Sequence, residues 1–102
     1  MQNVQYTPEQ LAAYAEHIVN SYKAMYDGNM PVHNNHFVVT FEPGSKYVRV
    51  VTENGPSRFS HSFLDAAGNI WKSAGWKAPA KNFTRGNITT PNFSRIHWTG
   101  AN

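Results

Sequence analysis

The chain has 102 residues, of which 40% are hydrophobic and 15% charged, and its formal net charge is +3. This length predicts one domain with a modest core, and the composition is typical of a globular rather than a disordered chain. The absence of cysteine excludes disulfides, thiol nucleophiles and cysteine metal sites. No apolar run is long enough to span a membrane and no secretory signal is evident, so we expect a cytoplasmic protein without a membrane partner.

A helix is predicted over residues 8–27. Thr7 is a good N-cap, Pro8 suits the first helical turn, and Gln10 completes a capping box. Hydrophobic side chains then recur at intervals of three and four residues, which is the pattern of an amphipathic helix. These side chains are Leu11, Tyr14, Ala15, Ile18, Tyr22 and Met25.

From residue 36 the hydrophobic period changes to two, which predicts strands. Asn54-Gly55 is a strong hairpin signal, and residues 65–68, DAAG, are typical of a type I turn with glycine in the left-handed position. The elements predict an α+β fold, in which one N-terminal amphipathic helix packs on a four-stranded antiparallel β-meander. The expected strands are 36–42, 47–53, 58–65 and 69–76.

Residues 77–102 are predicted to form an irregular basic arm at the C-terminal end. Pro79 and Gly86 break regular structure, and only residues 93–98 have the pattern of a short edge strand. The arm is expected to cover the second face of the sheet in part, or to leave it free. Exposed edges on a small sheet would also allow a homodimer to form by strand addition.

Charge is unevenly distributed along the chain. Residues 1–45 hold four acidic side chains and one lysine, whereas residues 46–102 hold eight cationic side chains and two acidic ones. No acidic residue follows Asp65. This asymmetry predicts one basic face and an anionic partner, either nucleic acid or an acidic protein. The alternative is an ordinary solvated surface that happens to be basic.

The basic region also contains aromatic residues. Cations interleaved with aromatics hold a phosphate backbone and stack on bases in proteins that bind single strands. We therefore expect binding of nucleic acid, more specifically single-stranded nucleic acid, with Arg49, Arg58 and Lys72 as a basic stripe across neighbouring strands. The alternative is structural: the tryptophans are buried and Arg85 bonds backbone carbonyls. The candidate binding residues are Arg49, Arg58, Trp71, Lys72, Trp76, Lys77, Lys81, Phe83, Arg85 and Arg95.

No pattern in the sequence predicts an enzyme, a metal site or a cofactor. His33 and His36 are spaced as H-x-x-H, but no third ligand is evident. His61 lies between Ser60 and Ser62, yet in a regular strand these serines point away from the histidine. A hydrolytic site is therefore not expected.

Several segments of the chain match a pattern that is found in other proteins. They are KYVRVV (46–51), Ser57-Arg58 followed by His61 and Phe63, DAAGNIWK (65–72), WKAPAK (76–81) and RGNI (85–88). The stretch from residue 46 to residue 88, a little under half of the chain, thereby resembles a family of small, mostly uncharacterised bacteriophage proteins. WKAPAK…RGNI is the most specific part, although the link at residues 82–84 is longer than in that pattern.

The resemblance implies a phage origin and the cytoplasm of an infected bacterial host, but no known activity. It therefore adds two further classes of function. One is a protein-binding inhibitor of a host or antiphage-defence factor, whose partner would be an acidic protein. The other is a minor virion or assembly protein.

Overall fold

A computed structural model describes residues 4–25 and 37–102. In this part of the chain, helix α1 is followed by five strands that form one antiparallel sheet in the order β1-β2-β3-β4-β5 and by two short strands that pair with each other. The predicted α+β class, with the helix on an antiparallel meander, is confirmed, but the sheet has five strands rather than four. The elements are α1 Pro8–Met25, β1 Phe37–Pro43, β2 Val48–Asn54, β3 Ser57–Leu64, β4 Asn69–Ser73, β5 Pro79–Asn87, β6 Ile96–His97 and β7 Gly100–Ala101.

Helix α1 begins with the predicted capping box. The Thr7 N–H donates to Gln10 Oε1 at 2.9 Å, and the Gln10 N–H donates to Thr7 Oγ1 at 3.1 Å. These two bonds satisfy backbone donors that have no partner within the helix. The predicted helix end at residues 26–27, together with His33 and His36, lies outside the described residues.

One face of α1 packs on one face of the sheet, which we call the helix-side face. Tyr14, Ile18 and Tyr22, spaced four residues apart, are buried. The Tyr22 ring stacks on Phe37 of β1, with centroids 4.1 Å apart and planes 2° apart. Because both residues are buried, this pair fixes the helix over the edge strand β1.

The hairpin β6–β7 extends the cover on the helix-side face. The Trp98 N–H donates to Ser21 Oγ of α1 at 3.1 Å, and His17 Nε2 lies 2.8 Å from the Ile96 carbonyl oxygen. Ile96 and Ala101 are buried in the common core. The edge strand expected over residues 93–98 is therefore not an edge of the main sheet, because residues 96–97 pair with residues 100–101 instead.

Strand β5 replaces the irregular arm expected from residue 77 onward. Its pairing with β4 includes Trp71 with Thr84 and Ser73 with Pro79, so that residues 80–83 lie opposite Lys72 alone and bulge out of the strand. The strand tolerates this bulge and its proline because it lies at the edge of the sheet. Pro79 and the longer link therefore distort the strand without preventing it, and β4 ends at Ser73 rather than at residue 76.

The second face of the sheet, opposite the helix, is also partly covered. Val51 and Phe63 project from it and are buried. The connection between β4 and β5, residues 74–78, lies on this face, because Arg49 Nε donates to the Trp76 carbonyl oxygen at 2.8 Å. The cover is thus a short connection between strands rather than a C-terminal arm.

Candidate functional site

Four side chains on the second face form what we call the arginine–tryptophan cluster: Glu42, Arg49, Arg58 and Trp76. Glu42 and Arg49 are direct cross-strand partners. Arg49 Nη1 donates to Glu42 Oε1 at 2.7 Å, and Arg58 Nη2 donates to Glu42 Oε2 at 2.6 Å. Both guanidinium groups also lie over the Trp76 ring, with Cζ 4.6 and 5.1 Å from its centroid. One carboxylate therefore holds both arginines against one indole.

The two arginines in this cluster are paired charges. Hydrogen bonds from Arg49 and then Arg58 lower the pKa of Glu42 below its usual range, and Glu42 raises the pKa of Arg58. Glu53 lies 3.5 Å from Arg58 Nε. Lys72 pairs with Ser62 of the helix-side face, so it lies on the other side of the sheet. The structure does not bring Arg49, Arg58 and Lys72 into one basic stripe.

A second group, the lysine cluster, consists of Lys46, Lys77 and Lys81 around Tyr47. Lys46 Nζ and Lys81 Nζ lie 5.5 and 5.8 Å from the centroid of the Tyr47 ring. Lys77, Lys46 and Tyr47 line one depression of about 240 Å³, which we call the lysine depression. All three lysines are exposed, and within the described residues none of them pairs with a carboxylate. Glu42 and Arg49, which pair with each other, also line the depression, so the unpaired charges at this surface are the lysines beside the Tyr47 ring.

Sequence reasoning selected Lys77 and Lys81 but missed Lys46 and Tyr47. Both precede β2 in the β1–β2 connection, some thirty residues away from the other two lysines in sequence. The dipeptide Lys46-Tyr47 repeats the cation-next-to-aromatic pattern of Trp76-Lys77, and this repeat was the available signal. The sequence alone did not indicate that the fold would place Lys46 and Tyr47 beside the same depression as Lys77.

A third group surrounds Phe83 in the bulged part of β5. Phe83 is 48% exposed, and the guanidinium Cζ of Arg85 and Arg95 lie 4.0 and 5.6 Å from its ring centroid. Arg95 is exposed and donates to the Asn102 carbonyl oxygen at 3.3 Å. Two cations and one exposed ring thus lie together at the edge of the sheet.

Arg85 itself is only 5% exposed. Its Nη1 donates to Asn82 Oδ1 at 2.7 Å and to the Phe83 carbonyl oxygen at 2.6 Å. Nε is buried and has no acceptor within the described residues. Arg85 therefore bonds the backbone of its own strand, as in the structural alternative, and holds the bulge of residues 80–83 in shape.

Trp71 is fixed by a neighbouring turn rather than presented as an open ring. It is half-buried, and its Nε1 donates to Asp65 Oδ2 at 3.1 Å. The same carboxyl group accepts the backbone N–H groups of Ala67 and Asn69 and the Asn69 side-chain amide. Asp65 thus ties the β3–β4 turn to the start of β4.

His61 does contact a serine, contrary to the expectation from a regular strand. Val50 pairs with Ser62 and Val51 with Ser60, so His61 is the extra residue of a β-bulge. A bulge turns neighbouring side chains toward the same side, and His61 Nδ1 lies 2.8 Å from Ser62 Oγ. Ser62 has no exposed surface, so its hydroxyl is not accessible to a substrate in this conformation.

No group of three or more histidine, aspartate or glutamate side chains is arranged to hold a metal ion among residues 4–25 and 37–102. Over the same residues, no helix combines the length and the apolar character needed to cross a bilayer.

A family model described as a family of unknown function (DUF7717) matches residues 1–102 of the chain. The chain belongs to this family. The match includes helix α1, which the motif-based resemblance left out, so membership extends over the whole chain rather than over residues 46–88. No curated protein and no solved structure matches the chain significantly. The family description carries no activity, so a function must be argued from the geometry.

Proposed function

We propose that this protein binds single-stranded nucleic acid along its edge strand β5. The observation that carries the proposal is that Lys46 Nζ and Lys81 Nζ lie 5.5 and 5.8 Å from the Tyr47 ring centroid and that Lys77 lines one depression with Lys46 and Tyr47. Within the described residues none of the three lysines is paired with a carboxylate. Exposed, unpaired ammonium groups suit a backbone with one charge per nucleotide, and an aromatic ring beside them suits a base.

Strand β5 links this cluster to the Phe83 group. Lys81 belongs to the lysine cluster, and two residues later Phe83 presents a half-exposed ring beside Arg95. A flexible single strand can follow such an edge, because stacking on each ring needs no base pairing and tolerates any sequence. Within this proposal Lys46, Lys77, Lys81 and Arg95 bind phosphates. Phe83 stacks, while Arg49, Arg58, Trp71 and Arg85 support the surface.

Two sets of exposed lysines make a matched test. Lys46→Gln with Lys81→Gln removes two charges from the lysine cluster, and Lys23→Gln with Lys72→Gln removes two exposed charges elsewhere. Oligonucleotide affinity is measured by fluorescence anisotropy over a range of salt concentrations. Each lost phosphate contact with a single strand reduces the slope of log K against log salt by about 0.7. The first pair should reduce it by about 1.4 and the second should not.

The outcomes separate this proposal from its rivals. Equal effects of the two pairs would mean that only net charge matters, and no binding at physiological salt would remove the proposal. In that second case, stoichiometric co-purification of an acidic host protein would favour the inhibitor of a host or defence factor. The WKAPAK…RGNI segments support a phage origin, and expression only after infection would test it.

A further inference from the structure

A cleft of about 630 Å³ opens on the other side of Trp76 from the lysine cluster. We call it the aromatic cleft, and Phe59, Trp76 and Trp98 line it together with polar side chains of β2, β3 and the end of β4. Phe59 is 61% exposed and Trp76 39% exposed. The volume lies in the range of small-molecule sites, and adjoining exposed aromatic rings are characteristic of binding surfaces.

The polar lining offers hydrogen bonds that the protein itself does not use. The Asn54 amide donates to the Tyr22 hydroxyl at 3.0 Å, which leaves Asn54 Oδ1 as a free acceptor within the described residues. Ser57, which also lines the cleft, makes no side-chain hydrogen bond there either. An acceptor and a hydroxyl beside aromatic walls are complementary to the edge and the faces of a planar heterocycle.

The charges favour a neutral group in the cleft and an anionic group beside it. Arg58, which lines the cleft, is paired with Glu42 and with Glu53. Next to it, Lys77 and Lys46 line the lysine depression. Trp76 and Lys77 are consecutive, so the arginine–tryptophan cluster forms the wall between the two cavities. A neutral ring in one and a phosphate in the other match the base and the phosphate of a nucleotide, which the sugar joins.

We infer that the aromatic cleft holds a nucleobase of the same strand whose phosphates lie on the lysine cluster. The inference rests on the proposed function for that strand. Trp76 is positioned before any ligand arrives, because Arg49 binds its carbonyl oxygen and two guanidinium groups lie over its ring. A ring that is already held loses little side-chain freedom on binding, so stacking on it contributes fully to affinity.

Phe59→Ala removes one wall of the cleft, and Val38→Ala is its control. Val38 is also an exposed hydrophobic side chain on a strand, at 44%, but it does not line the cleft. Loss of one base–aromatic stack weakens binding about 5- to 150-fold. We expect this loss for Phe59→Ala with an unchanged salt slope, since no phosphate contact is removed, and no loss for Val38→Ala. An unchanged affinity of Phe59→Ala would overturn the assignment.

A second readout locates the base. The three tryptophans give separate indole N–H signals in a ¹H–¹⁵N spectrum, assigned from single Trp→Phe variants. An oligonucleotide and a nucleoside monophosphate should move the signals of Trp76 and Trp98 and leave that of Trp71, which is bonded to Asp65. Ribose 5-phosphate, which lacks the base, should leave the Trp98 signal unmoved.

The results distinguish the two proposals. If neither nucleotide nor oligonucleotide moves Trp76 and Trp98 while the lysine variants weaken binding, the cleft assignment fails and the proposed function stands. If only the free nucleotide moves them, the cleft takes a free ligand and the path of the strand is overturned. If both move them but the lysine variants bind as the natural chain does, the cleft is a base site, whereas the proposed phosphate site and the placement of the strand's phosphates on the lysine cluster fail.

Discussion

His61 and Ser62 are neighbours in one strand, yet Ser62 Oγ lies 2.8 Å from His61 Nδ1. The other ring nitrogen, Nε2, lies 2.6 Å from the His97 carbonyl oxygen, which can only accept, so Nε2 carries the proton of the neutral ring. Nδ1 then accepts from Ser62, and Ser62 Oγ accepts from the Tyr14 hydroxyl at 2.8 Å. These hydrogen bonds form a series that connects the helix, the sheet and the C-terminal hairpin. One arrangement of protons gives every donor in the series an acceptor, and it requires a neutral imidazole.

The first prediction is a loss of stability in mild acid. Burial lowers the pKa of His61 from 6.5 to about 4. The unfolded chain therefore binds a proton as the pH falls through 6.5, whereas the folded chain binds it only near pH 4. The free energy of unfolding should decrease by about 3 kcal/mol across this window and be constant, for this group, above it. Urea unfolding at about pH 7, 5.5 and 4 measures the decrease.

The control for the first prediction is His61→Gln, whose side chain does not titrate. It should be less stable than the natural chain near pH 7 and should lose less of its remaining stability between pH 6.5 and 4. A decrease of the same size in both proteins would assign the acid sensitivity to other groups.

The second prediction concerns the Tyr14 hydroxyl, which is the first donor in this series of hydrogen bonds. Tyr14→Phe removes the hydroxyl that donates to Ser62 Oγ and keeps the buried ring. A buried hydrogen bond lost in this way costs about 1–2 kcal/mol. Tyr6→Phe is the matched change, because Tyr6 is also buried but its hydroxyl makes no hydrogen bond within the described residues. Urea midpoints should separate the two variants, and equal midpoints would contradict the role given to the Tyr14 hydroxyl.

Local features of this fold could be predicted from the sequence, and features set by register could not. The capping box of Thr7 and Gln10 and the turn at residues 65–68 involve neighbours in the chain, so their residue types determine them. Strand β5 was missed because Pro79 indicates a break in an isolated segment, whereas a sheet edge tolerates it. The bulge at His61 depends on how β2 and β3 pair, and no residue type in the sequence predicts it.

The candidate site was likewise predictable from the sequence only in part. Composition identified the basic and aromatic half of the chain, but it treated every cation there as equivalent. The fold removes Arg49 and Arg58 from the free charges, because Glu42 and Glu53 from neighbouring strands pair with them. It also adds Lys46, because Lys46 Nζ and Lys81 Nζ lie 5.5 and 5.8 Å from the centroid of the same Tyr47 ring although the two lysines are far apart in sequence.

The third prediction concerns the carboxyl group of Asp65. It accepts four hydrogen bonds, from two backbone N–H groups, the Asn69 amide and Trp71 Nε1. Asp65→Asn keeps the shape but replaces one acceptor oxygen with a donor, so at least one buried donor loses its partner. We expect a loss of about 1–3 kcal/mol, and a changed indole signal of Trp71 in the folded protein. A stable variant with an unmoved Trp71 signal would show that these bonds contribute nothing measurable.

The fourth prediction separates backbone strain from steric contact in the turns. Gly68 has φ 86°, and an added Cβ would lie 3.1–3.2 Å from side-chain atoms of Asn87, Ile88 and Thr89. Gly55 has φ 62° with nothing near its Cβ position, and Gly75 has open space without a positive φ. Alanine should therefore cost most at Gly68, about 1–3 kcal/mol, less at Gly55 and least at Gly75. Thermal melting of the three variants gives the order, and any other order would contradict this account.

The last prediction uses the one carboxylate that restrains both arginines. Glu42→Gln leaves Arg49 and Arg58 with one neutral acceptor oxygen in place of their shared carboxylate and removes a negative charge from the wall of the lysine depression. Under the proposed function, the affinity for single strands should rise at low salt and depend more steeply on salt, because two cations become available to phosphates. Glu16→Gln changes the net charge by the same amount from an exposed position on helix α1. A similar gain in both variants would attribute the effect to net charge, whereas a gain in Glu42→Gln alone would place the strand beside the arginine–tryptophan cluster.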